Sequence, residues 1–141
     1  MTNQIEVKIQ VIVHATEDLG RIFDSLTNIF NLNSDDFNTQ DLTGHFENPI
    51  KMVSVTVRKK HAEKFVSTLF SKMKKSDMRL ISEELENRTN ESGLKIRISK
   101  QKLILGKVVL ENNNAIKILI TIPVYIKKNF VNIYRETLKI S

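Results

Sequence analysis

The chain has 141 residues, a formal net charge of +6 and no cysteine. A chain of this length buries enough surface to fold as one domain, and the lack of cysteine excludes disulfide frameworks, thiol catalysis and thiolate zinc sites. The N-terminus lacks a long apolar run behind a positive start, and the longest apolar-rich stretch, Ile116 to Ile126, has 11 residues, whereas a membrane-spanning helix needs about 20. We therefore expect one cytoplasmic domain over residues 1–141, without a signal peptide or a membrane partner.

Charge is distributed unevenly along the chain. Residues 1–50 hold eight acids and two bases, for a net charge of −6, and residues 51–141 hold twenty bases and eight acids, for a net charge of +12. Such asymmetry is typical of a protein in which one part holds a polyanion. A well-solvated, lysine-rich surface is the alternative explanation.

Hydrophobic periodicity predicts the elements in chain order, because a period of two indicates half-buried strands and a spacing of three and four indicates helices. The predicted elements are a strand at 4–14, a helix capped by Thr16 and ending near Asn31, a polar loop over 31–48 with at most a short strand, a strand at 50–58, a helix over about 59–75, a helix capped by Ser76 and ending near Asn87, strands at 94–99, 102–110 and 115–126, and a short helix at 129–138.

The resulting order, β-α-β-α-α-β-β-β-α, predicts an α+β fold with a mixed or antiparallel sheet. Its strands alternate rather than running fully apolar, so we expect helices on one sheet face and an open face on the other. Pro123 cannot donate to a strand ladder, which predicts that the last strand lies at an edge or carries a bulge.

The sequence offers no positive sign of catalysis. It contains no P-loop, GxGxxG, GxSxG or HExxH motif, and its three histidines have no ligand spacing. We therefore expect a protein that is not an enzyme and that has no metal site and no cofactor. An alternative is a nuclease or RNA-modifying enzyme that holds magnesium at Asp35, Asp36 and Asp41.

Basic residues give the strongest functional signal. One run lies between the second strand and the long helix, and another falls within thirteen residues, 95–107, that contain no acid. Cations fixed on a rigid element suit contacts to phosphate, which release counterions when they form. Lysines that protect strand edges from aggregation are the alternative. The candidate phosphate contacts are Arg58, Lys59, Lys60, Lys95, Arg97, Lys100, Lys102 and Lys107.

Aromatic residues free for base stacking are few. Phe46, Tyr125 and Tyr134 alone lack an obvious place in the core, and no RNP-type pattern is present. This argues against an RRM and favours recognition of structured RNA by its shape and backbone.

Three segments in order resemble a family of small archaeal proteins, the predicted exosome-associated RNA-binding proteins, formerly a domain of unknown function. Residues 11–18, VIVHATED, resemble the family's opening step from strand to helix. Residues 44–50, GHFENPI, resemble its GHxGNPI segment. Residues 93–101, GLKIRISKQ, followed by the LGK at 105–107, resemble its LRLDKQ…LG segment.

The resemblance implies a fold like that of ribosomal protein L5 and binding to RNA, with the sugar or base hydrogen-bonded by His45, Asn48 and Gln101. Glu47 replaces a family glycine, and Ser99 replaces a family aspartate, which predicts that a local salt bridge with Lys100 is missing. The positions that match the family motifs are His45, Asn48, Arg97, Lys100, Gln101 and Gly106.

These observations together predict a non-catalytic protein that recognises structured RNA, of a ribosomal or transfer-like kind, mainly through the phosphate backbone. The family resemblance implies that proteins of the exosome or the ribosome are its partners. The alternative is a protein-interaction subunit, either a homodimer or a component of a larger RNA-processing complex. Apolar Ile12, Leu119 and Tyr125 on an otherwise polar sheet face motivate that alternative.

Overall fold

A computed structural model of the chain describes residues 4–43, 49–123 and 130–140. Six strands and six helices are present in these ranges, together with a 3-10 turn at Ser34–Asp36. The strands are β1 (Glu6–His14), β2 (Asn38–Thr43), β3 (Pro49–Arg58), β4 (Thr89–Asn90), β5 (Gly93–Ser99) and β6 (Ala115–Thr121). The helices are α1 (Leu19–Phe30), α2 (Lys59–Lys72), α3 (Lys75–Glu83), α4 (Leu85–Arg88), α5 (Lys100–Ile104) and α6 (Phe130–Thr137).

The strands form one antiparallel sheet in the order β2-β3-β1-β6-β5-β4. Strand β1 is central: it pairs with β3 along its whole length, from Glu6 opposite Arg58 to His14 opposite Ile50. On its other side it pairs with β6, which in turn pairs with β5. The predicted α+β class with an antiparallel sheet backed by helices is confirmed.

One face of the sheet supplies the floor of the hydrophobic core. Val7, Ile9, Val11 and Val13 of β1 are buried there, as are the matching alternate residues of β3, β5 and β6. Each of the six helices adds buried side chains to the same cluster. Alternation along the strands thus places one apolar set under the helices and leaves the other set outside the core.

Specific contacts fix the helices on that face. The rings of Phe30 and Phe65 stack with centroids 4.3 Å apart, which joins α1 to α2. The buried Tyr134 hydroxyl accepts a hydrogen bond from the Ile122 amide at 3.0 Å and donates to the Ile122 carbonyl, which joins α6 to the end of the sheet. Burial raises the pKa of Tyr134 above its usual range.

The predicted strand at 102–110 is wrong. This segment begins with α5, whose first turn is capped by the Ser99 side chain accepting from the Lys102 amide at 3.1 Å, and Gly106 follows at φ +82°. On a strand Leu103 and Leu105 would share one face, but Leu103 is buried while Leu105 is 67% exposed. A helical turn produces that contrast because residues two apart point to different sides of a helix.

Other differences concern element ends. Asp18, not Thr16, caps α1 by accepting from the Arg21 amide. The short strand that the sequence allows in the polar segment after α1 is present as β2, at the edge of the sheet. Helix α3 begins at Lys75, so Ser76 lies inside it. Pro123 marks neither an edge nor a bulge, because β6 is an interior strand that ends at Thr121. None of the helices in the described ranges is long and apolar enough to cross a membrane.

A buried lysine joins four segments at one end of the sheet. Lys100, at the start of α5, is only 4% exposed. Its Nζ donates to the Ile12 carbonyl of β1, to the Glu17 carboxylate before α1 at 3.0 Å, and to Asn114 Oδ1 before β6 at 2.8 Å. A buried ammonium requires such partners, because without them its desolvation costs several kcal/mol. The salt bridge of Lys100 is therefore made with Glu17, far away in the sequence.

The carboxylate of Glu17 completes this network. It also accepts a hydrogen bond from the His14 amide at 2.8 Å. Burial alone raises the pKa of Glu17, but the hydrogen bonds from His14 and Lys100 and the charge of Lys100 outweigh burial. The pKa of Glu17 consequently lies below its ordinary value of 4.5.

Replacing Lys100 by methionine is expected to lower the free energy of unfolding by roughly 3 kcal/mol, because Glu17 loses its cation. Chemical denaturation of Lys100→Met, Glu17→Gln and the double variant measures this effect. The double variant should lose less stability than the sum of the single variants. Additive losses would contradict the pairing.

Acid should weaken the fold through the same pair. A carboxyl whose pKa is lower in the folded state stabilises the protein above its unfolded pKa, and this contribution disappears as the pH falls through the folded value. Unfolding free energies of the natural chain and of Glu17→Gln should thus converge as the pH falls below 4.5. A difference that stays constant from neutral to acid pH would refute the assignment.

Candidate nucleic-acid interface

The sheet face opposite the core carries the second set of strand side chains; we call it the open face. It is formed by the even-numbered residues of β1, β2 and β3 and the odd-numbered residues of β5 and β6. These side chains are exposed or half-buried. On this face, strand pairing fixes accessible side chains of several strands in register.

Four cations lie together at the centre of the open face. Register places Lys8 and Lys95 on either side of Leu119, and it places Lys117 directly between Gln10 and Arg97. Paired side chains of this kind are about 5 Å apart at their Cβ atoms. We call Lys8, Lys95, Arg97 and Lys117 the cationic cluster. All four are exposed.

The cationic cluster has no internal counter-charge. Glu6 is the sole acid on the open face of the described strands, and it pairs with Arg58 at 3.2 Å. Within the described residues, the four side chains of the cluster form no ion pair and no hydrogen bond. Like charges on opposite strands destabilise a sheet, so this arrangement is suited to an external anion.

Two shallow grooves cross this surface. The larger has a volume of about 490 Å³ and is lined by the whole cationic cluster with Ser54 and Thr56. The smaller has a volume of about 290 Å³ and lies between β1 and residues 112–114. They share Gln10, Arg97 and Lys117, and so form one continuous track.

Some of the residues predicted from sequence come together here. Lys95 and Arg97 belong to the cationic cluster, and Arg58 lies on the same face, diagonal to Lys8 across the β1–β3 pair. Lys59 and Lys60 are exposed at the start of α2, next to the end of β3. Three of these five residues therefore lie on the open face, and Lys59 and Lys60 directly follow Arg58 in the chain at the start of α2.

The remaining predicted residues are placed elsewhere. Lys100 as a phosphate contact is wrong, because its ammonium is buried and bonded to Glu17. Gln101 and Lys102 are exposed on α5, which packs against α1, and Lys107 is exposed after it. These three do not continue the strand register of Arg97, because β5 ends at Ser99 and is followed by α5. His45 and Asn48 lie outside the described residues.

Two members of the cluster were missed in the sequence. Lys8 and Lys117 lie on the polar faces of correctly predicted strands, which was a usable signal. What the sequence does not reveal is that β6 inserts between β1 and β5. That strand order places Lys8 in the same cluster as Lys95, although the two residues are 87 positions apart in the sequence.

Acidic residues do not assemble a comparable site. Asp35 and Asp36 lie in the 3-10 turn, and Asp41 on β2 pairs with Lys51 at 3.2 Å. In the part of the chain that the structure describes, no group of three histidine, aspartate or glutamate residues is placed to hold a metal ion. The magnesium alternative gains no geometric support from these residues.

Known proteins similar to this chain come from archaea. The uncharacterized protein MJ0213 of Methanocaldococcus jannaschii is 28% identical over 130 residues, covering 87% of each chain. The RNA-binding protein PAB1135 of Pyrococcus abyssi is 29% identical over 126 residues, covering 84% of this chain and 82% of its own. The crystal structure of AF2318 from Archaeglobus fulgidus, a DUF54 protein, has a TM-score of 0.78 at 27% identity, over 94% of this chain and 97% of that one.

A family model described as RNA binding matches residues 6–122. The match starts at the first residue of β1 and extends past the end of β6, so it includes every strand that contributes to the cationic cluster. The chain belongs to this RNA-binding family.

Proposed function

We propose that this protein is a non-catalytic RNA-binding protein that holds structured RNA by its phosphate backbone on the open face. Membership of the RNA-binding family supports RNA as the ligand. The observation that locates the RNA site on the open face is the direct pairing of Arg97 with Lys117 without a neighbouring acid. Placing two cations opposite each other costs folding stability, and a bound phosphate between them removes that cost.

The width of the cluster fits a nucleic-acid backbone better than a single small anion. The cations occupy three adjacent strands, β1, β6 and β5, and they line one groove. Several phosphates along a strand are needed to neutralise all of them, and each contact releases counterions. Arg58 at the side of the same face extends the track towards Lys59 and Lys60.

Backbone contact also follows from what the open face lacks. No phenylalanine, tyrosine or tryptophan belongs to the described strands that form it, and its one imidazole, His14, lies at the end of β1. Stacking of successive bases on aromatic rings, the mode of an RRM, has no platform there. Recognition by shape and phosphate position is the remaining mode for the centre of this face.

The wider setting is part of the same proposal. We propose that its partners are proteins of the exosome or the ribosome, that its fold is related to that of ribosomal protein L5, and that it is located in the cytoplasm. The family resemblance in the sequence motivates the first two, and no feature of the described residues depends on any of them.

Docking of a protein is a second candidate, favoured by an apolar corner of the open face. Ile12 pairs with Met52, and Ile50 pairs with Leu42, whose exposed fraction is 37%. This corner lies beside the cationic cluster and suits a second copy or a protein partner. Sedimentation of the purified chain as a monomer, at concentrations where RNA still binds, would argue against a homodimer.

The binding test replaces Lys95 and Lys117 by glutamine. Titration of a transfer RNA or ribosomal RNA fragment at several salt concentrations should show affinity falling by on the order of tenfold for the double variant. The slope of log affinity against log salt should decrease by about 2, because two phosphate contacts are lost.

The matched control is Lys64→Gln/Lys72→Gln, which makes the same charge change on exposed positions of α2. It should leave the affinity within about twofold and the salt slope unchanged. Equal losses for the two double variants would mean that net charge alone acts. Binding that does not depend on salt would contradict the phosphate mechanism.

A further inference from the structure

Resting on the proposed function, we propose that the smaller groove binds one unpaired nucleotide of the RNA and reads its base. This groove, of about 290 Å³, lies where the cationic cluster meets the asparagine loop, residues 112–114. Its size is at the lower end for ligand sites and matches a small, single-residue ligand rather than a duplex. The lining residues on which the argument depends are Ile12, Arg97, Asn112, Asn113, Asn114 and Lys117.

The groove combines the three chemistries that a nucleotide needs. Ile12 is half-buried and gives an apolar surface against which the flat face of a base can pack. Arg97 and Lys117 supply positive charge for the phosphate at the side that opens into the larger groove. Amide side chains supply paired donors and acceptors, the groups that read base edges.

Asn112 and Asn113 have free side chains. Among the described residues, neither amide has a hydrogen-bond partner, and both residues are exposed where they line the groove. A side-chain amide presents a donor and an acceptor together, so it can pair with the Watson–Crick edge of an unpaired base, an edge that the partner base occupies in a duplex.

Asn114 is held in a fixed orientation by the buried lysine. The ammonium of Lys100 can only donate, so the Asn114 atom at 2.8 Å from it must be the carbonyl oxygen. The NH₂ end of that amide is left without a partner in the described residues, beside the groove. Asn114 adopts φ 49°, a left-handed conformation that asparagine tolerates.

Lys100 is therefore a positioning residue for this groove. The same ammonium holds Ile12 through its carbonyl and the asparagine loop through Asn114. It fixes the position of Ile12, the floor of the groove, relative to the asparagine loop, its wall. The amide groups are therefore oriented before RNA binds. Preorganisation of this kind increases affinity because less ordering is required on binding.

The test compares a short RNA single strand of mixed sequence with the same strand annealed to its complement. Asn112→Ala/Asn113→Ala should weaken binding of the single strand about tenfold and change duplex binding by less than about twofold. Both positions are exposed, have negative φ and bond to no described side chain, so the variant should fold normally. The control, Asn28→Ala/Asn87→Ala, removes two exposed amides on α1 and α4 and should change neither affinity.

A second measurement is independent of RNA length. Nucleoside monophosphates should shift the side-chain amide NMR signals of Asn112 and Asn113, whereas ribose 5-phosphate, which has no base, should not. Equal shifts with ribose 5-phosphate, or equal losses for single strand and duplex, would overturn base reading while leaving phosphate binding intact. Failure of the natural chain to bind either RNA at low salt would overturn the proposed function and this inference with it.

Discussion

One-sided burial of an antiparallel sheet is the constraint on which the rest of the structure depends. All six helices add their apolar side chains to one core on one face of the sheet. Because side chains alternate along each strand, every residue between two core residues must project from the other face. The sheet thus sets Lys8, Lys95, Arg97 and Lys117 on one rigid surface, with positions fixed by the same strand pairing that forms the core.

Lysine has two opposite uses in this molecule. Lys100 is buried, and its charge is matched by Glu17 and two neutral acceptors, so it stabilises the end of the sheet. Lys8, Lys95 and Lys117 are exposed and form no ion pair among the described residues. A bound anion would therefore relieve their mutual repulsion. The first use fixes the shape of the surface, and the second gives the surface its affinity. Net charge does not distinguish the two uses, which is why residue environment matters more than the total of +6.

The sequence predicts much of the fold because its strands obey a strict period of two. The alternation in β1 and β6 correctly predicted that both strands form and which of their residues are buried. It failed at 102–110, where Ser99 caps a helix and Gly106 turns the chain. Periodicity cannot predict strand order, because it describes neighbouring residues, whereas the pairing of β1 with β6 joins residues more than 100 positions apart. For that reason the sequence pointed to Lys95 and Arg97 but not to Lys8 and Lys117. Lys100 was assigned to the RNA because its distant partner Glu17 is equally invisible to periodicity.

Chemical acetylation of lysines, read by mass spectrometry with and without bound RNA, tests the central claim most directly. RNA should protect Lys8, Lys95 and Lys117 and leave the exposed α2 residues Lys64 and Lys72 fully reactive. Lys100 should react poorly in both states, because its ammonium is buried and paired. Protection of Lys102 and Lys107 with unchanged reactivity at Lys8 and Lys117 would contradict the account, since it would place the RNA on α5 instead of the open face.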